Sequence, residues 1–182
     1  MNTADKKKWS QFILKRYSKD LTGSGLFFGK MGIALTLSRL GVSFEQNKPL
    51  LDLLYKLNSL QQIHGNIPVD LANGTAGLLI GFNLLIKNVD YPSFTYIRKK
   101  LIRSLIKYHE VDENGVEYGK LGILNCVYFL NKRDNLFKKF YRQEFFDDLK
   151  YEVEKLIRNN IQDKTFLGIP EYQDKNIIYP NL

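Results

Sequence analysis

Phe28-Gly29-Lys30-Met31-Gly32 runs directly into Ile33-Ala34-Leu35, and this stretch decides the fold because the chain repeats it. Asn73-Gly74-Thr75-Ala76-Gly77 leads into Leu78-Leu79-Ile80, and Tyr118-Gly119-Lys120-Leu121-Gly122 leads into Ile123-Leu124-Asn125. From Gly29 to Gly74 and from Gly74 to Gly119 the step is 45 residues each time. One GxxG carries almost no information. Three at a single period, each opening an apolar run, mark a repeated supersecondary unit.

Each period reads as two helices. The runs after the glycine pairs, residues 32–40, 77–86 and 122–131, are apolar nearly all round and are expected to be buried on most sides, with Gly41 as a stop for the first. Between them lie amphipathic segments. Trp9, Phe12, Ile13 and Tyr17 fall at helical spacing, as do Leu50, Leu53, Leu54 and Leu57 behind a Pro49 suited to a first turn. Ile97, Leu101, Leu105 and Tyr108 form a third set, and Phe145, Phe146, Leu149, Val153, Leu156 and Ile157 a fourth. Strand alternation is scarce. The expected fold is all-α, with outer amphipathic helices alternating with inner apolar ones.

The glycines suit a tight turn and close approach of neighbouring elements, since no Cβ intervenes. A bare helix start can instead hold an anion. No phosphate-loop signature such as GxxxxGK[ST] accompanies these glycines, so packing is the reading adopted for Gly29, Gly32, Gly74, Gly77, Gly119 and Gly122.

Composition sets the outer limits. The 182 residues are 44% hydrophobic and 25% charged, ordinary values for a folded domain. The most apolar stretch, residues 78–86, is too short for a bilayer, and no signal-like apolar core follows the basic start. With Cys126 the only cysteine, no internal disulfide forms, and the cytoplasm is the expected location. The net charge of +8 is spread over Lys6–Lys8, Arg98–Lys100, Lys132, Arg133, Lys138 and Lys139, mostly on amphipathic segments, and reads as a solvated outer face with a secondary attraction to acidic peptides or anionic membrane surfaces. The 12 Phe and 11 Tyr lack any aromatic–basic module signature, so no nucleic-acid partner is expected.

The segment Leu26-Phe27-Phe28-Gly29-Lys30-Met31-Gly32-Ile33-Ala34-Leu35-Thr36-Leu37 resembles the repeat of the lanthionine synthetase C-like (lantibiotic cyclase) family, and residues 71–79 and 116–123 are similar to it again. The resemblance covers about residues 1–160 and concerns the amino-terminal part of that family. It implies an (α/α) toroid, an inner ring of helices inside an outer ring, with the glycine motifs at one end of the inner helices. It also implies a role in maturing ribosomal peptides. In such proteins a zinc ion held by two cysteines and a histidine activates a cysteine thiol that adds to a dehydrated serine or threonine, closing a thioether.

The departures from that pattern set the remaining expectations. The chain supplies three to four helical hairpins of an incomplete toroid: repeats at about 1–45, 46–90 and 91–135, then an outer helix and tail at 136–182, read as a single partial α/α-barrel domain. No Cys-His pair occurs, and Phe28, Asn73 and Tyr118 stand where the family has a histidine before a later motif. The tail, from Phe166 through Ile169-Pro170 to Tyr179-Pro180-Asn181-Leu182, looks like the lead-in to that later motif. No catalytic or metal residue is therefore carried over. No cofactor is expected in this chain, although zinc is expected in full-length relatives, and the chain by itself is expected to be inactive. The partners implied are a precursor peptide, a complementary carboxy-terminal half or peptide-modifying complex, a peripheral membrane association, and a second copy across the open flanks of the arc.

Other readings remain beside this one. Cys126, His64 and His109 are the only soft metal ligands, but their spacing gives no reason to converge, and a buried thiol with two helix-end histidines is the simpler reading. Asp70 and Glu117 precede inner helices, so a carbohydrate-active α/α-barrel fragment with paired carboxylates is an alternative, although acidic residues there also complement helix starts, as Asp147 and Asp148 do. A second alternative is a non-catalytic helical-repeat module that binds peptides or proteins, because the period falls in the range of two-helix solenoid repeats.

Overall fold

The computed structural model describes residues 2–17, 23–63, 65–85, 92–107, 115–140, 147–152, 154–155, 158, 169–170 and 178–179. Seven helices follow in order among these: α1 (Thr3–Arg16), α2 (Lys30–Arg39), α3 (Lys48–Ser59), α4 (Thr75–Leu85), α5 (Pro92–Leu105), α6 (Lys120–Arg133) and α7 (Asn135–Phe140). Helix resumes at 147–152, where Asp147 and Asp148 stand. The all-α expectation holds for the repeat region; the strands among the described residues are β1 (Ile169–Pro170) and β2 (Ile178–Tyr179), an antiparallel pair in the tail.

The helices form two layers. α2, α4 and α6 lie in a row, α4 touching both others, while α3 covers α2, α5 covers α4, and α3 also meets α5. Apolar helices thus pack side by side behind amphipathic ones, the alternation read from the sequence. α4 occupies the middle and buries Thr75, Ala76, Gly77, Leu78, Leu79, Gly81 and Phe82. The two ends of the row bury less of themselves, and Tyr128 on α6 is exposed. The core joins Met31, Leu53, Leu57, Phe82, Ile97 and Cys126, with Phe94 set edge-on to Phe82 at 5.7 Å.

Local signals explain the helix ends. α2 stops at Gly41 (φ +88), where Gly41 N–H donates to Ser38 and Val42 N–H donates to Leu37, both at 3.0 Å, closing a Schellman turn that needs the left-handed backbone. α3 starts at Asn47, whose buried side chain accepts from Leu50 N–H at 3.4 Å and donates to the Ala34 carbonyl at 2.9 Å, so one residue caps α3 and ties it to α2. Pro49 lies in the first turn, as its position suggested. Lys100 on α5 donates to the Leu57 and Leu60 carbonyls at the end of α3. Arg98 on α5 pairs with Asp134, whose side chain also accepts from Phe137 N–H at 3.0 Å and so starts α7.

Three expectations change. The inner helices begin at Lys30, Thr75 and Lys120, two residues ahead of the expected starts, so the second glycine of each pair lies within the first turn. Gly29 at φ −147 and Gly119 at φ −115 are extended, a conformation open to any residue, so turn geometry is not the reason for glycine at either position. On α1, Trp9 and Phe12 do not join the core: the helix turns Ser10, Ile13, Leu14 and Tyr17 inward and leaves Trp9 and Phe12 exposed. Tyr17 fixes that orientation by donating its hydroxyl to Asp52 on α3 at 2.8 Å. Expectations that fall on Ile86, Tyr108, Phe145, Phe146, Val153, Leu156, Ile157, Phe166 and residues 180–182 lie outside the described residues. No helix among the described residues is long and apolar enough to cross a membrane.

Candidate functional site

The segments that lead into α2, α4 and α6 are joined backbone to backbone. Phe27 N–H donates to the Ala72 carbonyl at 3.1 Å, and Ala72 N–H donates to the Glu117 carbonyl at 2.8 Å. Residues 27, 72 and 117 are 45 apart, so the sequence period is also the register of a hydrogen-bonded row. The three glycine sites sit side by side along it.

Within the first two lead-ins the same register recurs. Lys30 N–H bonds Gly23 O and Thr75 N–H bonds Pro68 O, at 3.0 and 2.8 Å. Met31 N–H bonds Ser24 O and Ala76 N–H bonds Val69 O, at 3.3 and 3.1 Å. The first amides of these helices, which a bound anion would need, are thus satisfied by carbonyls of the chain itself. That arrangement favours the packing reading of the glycines over anion binding.

The second glycine of each pair meets the lead-in of its own repeat. A Cβ on Gly32 would lie 2.2 Å from Leu26 O, one on Gly77 would lie 2.0 Å from Leu71 O, and one on Gly122 would lie 2.0 Å from Val116 O. Gly77 also receives the Leu26 side chain of the preceding repeat at 2.9 Å, and Gly122 receives Leu71 at 2.8 Å. Two of the first glycines are equally confined: a Cβ on Gly29 would fall 2.3 Å from Gly25 N, and one on Gly74 would fall 2.4 Å from Pro68 O. Leu26, Leu71 and Val116 are the keys of this joint. They too recur every 45 residues, a signal readable by carrying the repeat alignment backward from the glycines.

Asp70 belongs to the joint as well. Its carboxylate is buried and accepts from Asn73 N–H at 2.7 Å, holding the turn ahead of Gly74. Burial raises its pKa above the ordinary carboxylate value, opposed in part by the backbone amides that favour the charged form. A carboxylate engaged in this way shapes a loop. The backbone bond from Ala72 to Glu117 brings the two segments together, and the Asp70 side chain is directed into its own turn.

Cys126 is fully buried on α6 and donates its thiol to the Ala76 carbonyl at 3.2 Å. Burial pushes its pKa above the usual thiol range, with the Asp134 charge adding to the effect. The thiol is engaged with a backbone carbonyl inside the core, in keeping with a packing role. Among the described residues no three His, Cys, Asp or Glu side chains converge as a metal site; His64 and His109 lie outside the described residues.

Beside the first glycine pair a groove of about 570 Å³ opens between α1 and α2, lined by Ile13, Leu26, Phe27, Phe28, Ile33 and Thr36. It is apolar, with Phe27 and Phe28 exposed at its edge. It lies on the outer end of the row, on the helix that has one inner neighbour among the described helices. Its chemistry is that of a seat for an apolar helix or peptide segment. Comparison with protein-family models, with curated proteins and with solved structures finds no match for this chain.

Proposed function

We propose that this chain is the amino-terminal arc of an (α/α) toroid of the lanthionine synthetase C-like kind, acting in ribosomal peptide maturation as scaffold and peptide-binding surface. One observation carries the reading: the 45-residue register in which Phe27, Ala72 and Glu117 bond their backbones, so that successive glycine-hinged hairpins meet by the same joint each time. A joint repeated without change rotates each hairpin against the last by a fixed angle, which is how rings and superhelices grow. Inner apolar helices with their starts aligned in one row give the arc a common rim.

Cyclisation needs zinc ligands that residues 1–182 do not supply. In this reading the repeats bearing them complete the ring, and the apolar groove beside α2 together with the exposed flank of α6 are the two faces where the added hairpins dock. The test supplies those repeats in trans. The chain is purified together with a carboxy-terminal half that carries H-G-x-x-G and an adjacent Cys-His pair, then given zinc and a dehydrated precursor peptide. The expected result is a stable complex that consumes the peptide thiol without change of peptide mass, as addition of S–H across the dehydro double bond requires. Failure of the halves to associate, or association with no loss of thiol, contradicts the proposal.

A further inference from the structure

The joint that links the hairpins has one end that receives nothing from a neighbour. Leu26 of the first repeat reaches Gly77 of the second, and Leu71 of the second reaches Gly122 of the third. Gly32 holds the same position in the first repeat. Among the described residues only its own lead-in comes near it, through the Leu26 carbonyl and, at 4.0 Å, the Phe27 oxygen. The backbone row ends in the same way. The Ala72 and Glu117 carbonyls each accept an N–H from the repeat before them, whereas the Phe27 carbonyl accepts none among the described residues. Phe27, Gly29 and Gly32 all line the open groove. That groove is therefore the receiving half of the joint, matched to a branched aliphatic side chain followed by a backbone N–H. The helix beside it is α1, whose Ile13 forms part of the wall. α1 is lightly held: of its 14 residues only Ser10 is buried, whereas α4 buries most of its length. The Ser10 hydroxyl bonds the Lys7 carbonyl of the same helix, and the Tyr17 hydroxyl on Asp52 ties α1 to α3. An element with so little buried apolar surface opens well short of global unfolding.

We propose that α1 is a displaceable cap on this end of the arc. Closed, it sets Ile13 against the receiving half of the joint and shields Leu26 and Ile33, both half-buried, from stray apolar partners. It yields when an extended segment brings a leucine or valine to Gly32 and the N–H that follows it to the Phe27 carbonyl. Continuity of the joint selects this occupant: the lead-in of a further repeat carries both groups at the spacing of Leu26 with Phe27 N–H and of Leu71 with Ala72 N–H. Main-chain bonding supplies the affinity, and the space beside Gly32 supplies the choice of side chain. The cap regulates the docking face proposed above and rests on that reading for the source of the segment. Recognition itself needs only a peptide with the right key and donor.

The probe is a synthetic peptide with the sequence of the chain's own second lead-in, residues 66–74, in which Leu71 is the key and Ala72 supplies the N–H. It is titrated into the full isotope-labelled chain while backbone amides are followed by NMR. The expected result is saturable shifts at Gly29, Gly32 and Ile33, with faster hydrogen exchange along α1. A peptide carrying Leu71→Asp lacks the key, and one N-methylated at Ala72 lacks the donor. Each should bind about tenfold more weakly or worse. Tyr17→Phe in the protein removes the bond that holds the cap, and should tighten binding of the unaltered peptide about fivefold. Equal binding by the three peptides, shifts that spare Gly29 and Gly32, unchanged exchange along α1, or no saturable binding would each overturn the proposal. The peptide comparison uses the unaltered protein, so it decides the matter even where the Tyr17→Phe variant folds poorly. Association with a carboxy-terminal half is measured separately: a chain that binds the peptide by these rules but ignores that half keeps its cap and loses the ring.

Discussion

Leu26 fills the space that a side chain on Gly77 would need: its Cβ lies 2.9 Å from the point where a Gly77 Cβ would stand, and the Leu71 carbonyl oxygen lies 2.0 Å from it. The first repeat is thereby keyed into the second. Gly77→Ala should therefore destabilise by about 3 kcal/mol, lowering Tm by roughly 6–12 °C. The sign is informative, because propensity in a helix predicts a gain of about 1 kcal/mol for the same change. Thermal unfolding of the variant checks it, and a raised Tm contradicts the joint.

Gly41 has the opposite constraint. Open space surrounds its would-be Cβ, yet its φ is +88. Gly41→Ala should cost about 1 kcal/mol through backbone strain with no repacking, and Gly41→Asn should cost less, since asparagine tolerates that region. Chemical denaturation of the two variants side by side separates conformational from steric need.

The Arg98–Asp134 pair fastens α5 to the start of α7, with the Asp134 side chain only 1% exposed. Asp134→Ala leaves a guanidinium without its charge partner and removes the acceptor for Phe137 N–H, so it should cost about 3–5 kcal/mol. The double variant Arg98→Met, Asp134→Leu should recover a large part of that loss, because an apolar pair leaves no stranded charge. A double-mutant cycle measured by urea unfolding gives the coupling; a double variant no more stable than Asp134→Ala contradicts it.

Asp70 makes stability depend on pH. Burial raises its folded-state pKa above the unfolded value, so the folded state holds this proton more tightly. The contribution is fully present below the unfolded pKa and is lost as pH rises through the raised folded value. Asp70→Asn keeps an oxygen for Asn73 N–H but cannot ionise. The variant should gain stability relative to the parent as pH rises above the ordinary carboxylate pKa of about 4. Urea unfolding at a series of pH values checks the direction; a difference that does not change with pH would mean that Asp70 has the same pKa folded and unfolded.

Much of this was legible in the residues. The glycine period and the apolar runs behind it gave the inner helices, and Leu50, Leu53 and Leu57 gave α3 its buried face. Spacing tells which residues share a helix face, but not whether that face has a neighbour. For this reason spacing alone groups Trp9 and Phe12 with Ile13 and Tyr17, although α1 turns the first two outward. The 45-residue period marks the glycine positions, but it does not carry the whole of their purpose. Extended φ values at Gly29 and Gly119 remove turn geometry as the reason, and the keys at Leu26 and Leu71 come from neighbouring repeats. The Arg98–Asp134 pair and the two-way bonding of Asn47 join distant segments, and no local pattern announces either.

Native-state amide hydrogen exchange at Phe27 and Ala72 bears most directly on the repeated joint. Both amides lie in segments without regular secondary structure, yet both donate across to the next repeat. The account predicts that both are slowed by about 10⁴-fold or more, in step with the amides of α4, since the joint opens only with the core. Exchange at either amide within about tenfold of the unstructured-peptide rate would mean that the lead-ins are ordinary open loops, and that the 45-residue period of the sequence has no counterpart in how the hairpins are held together.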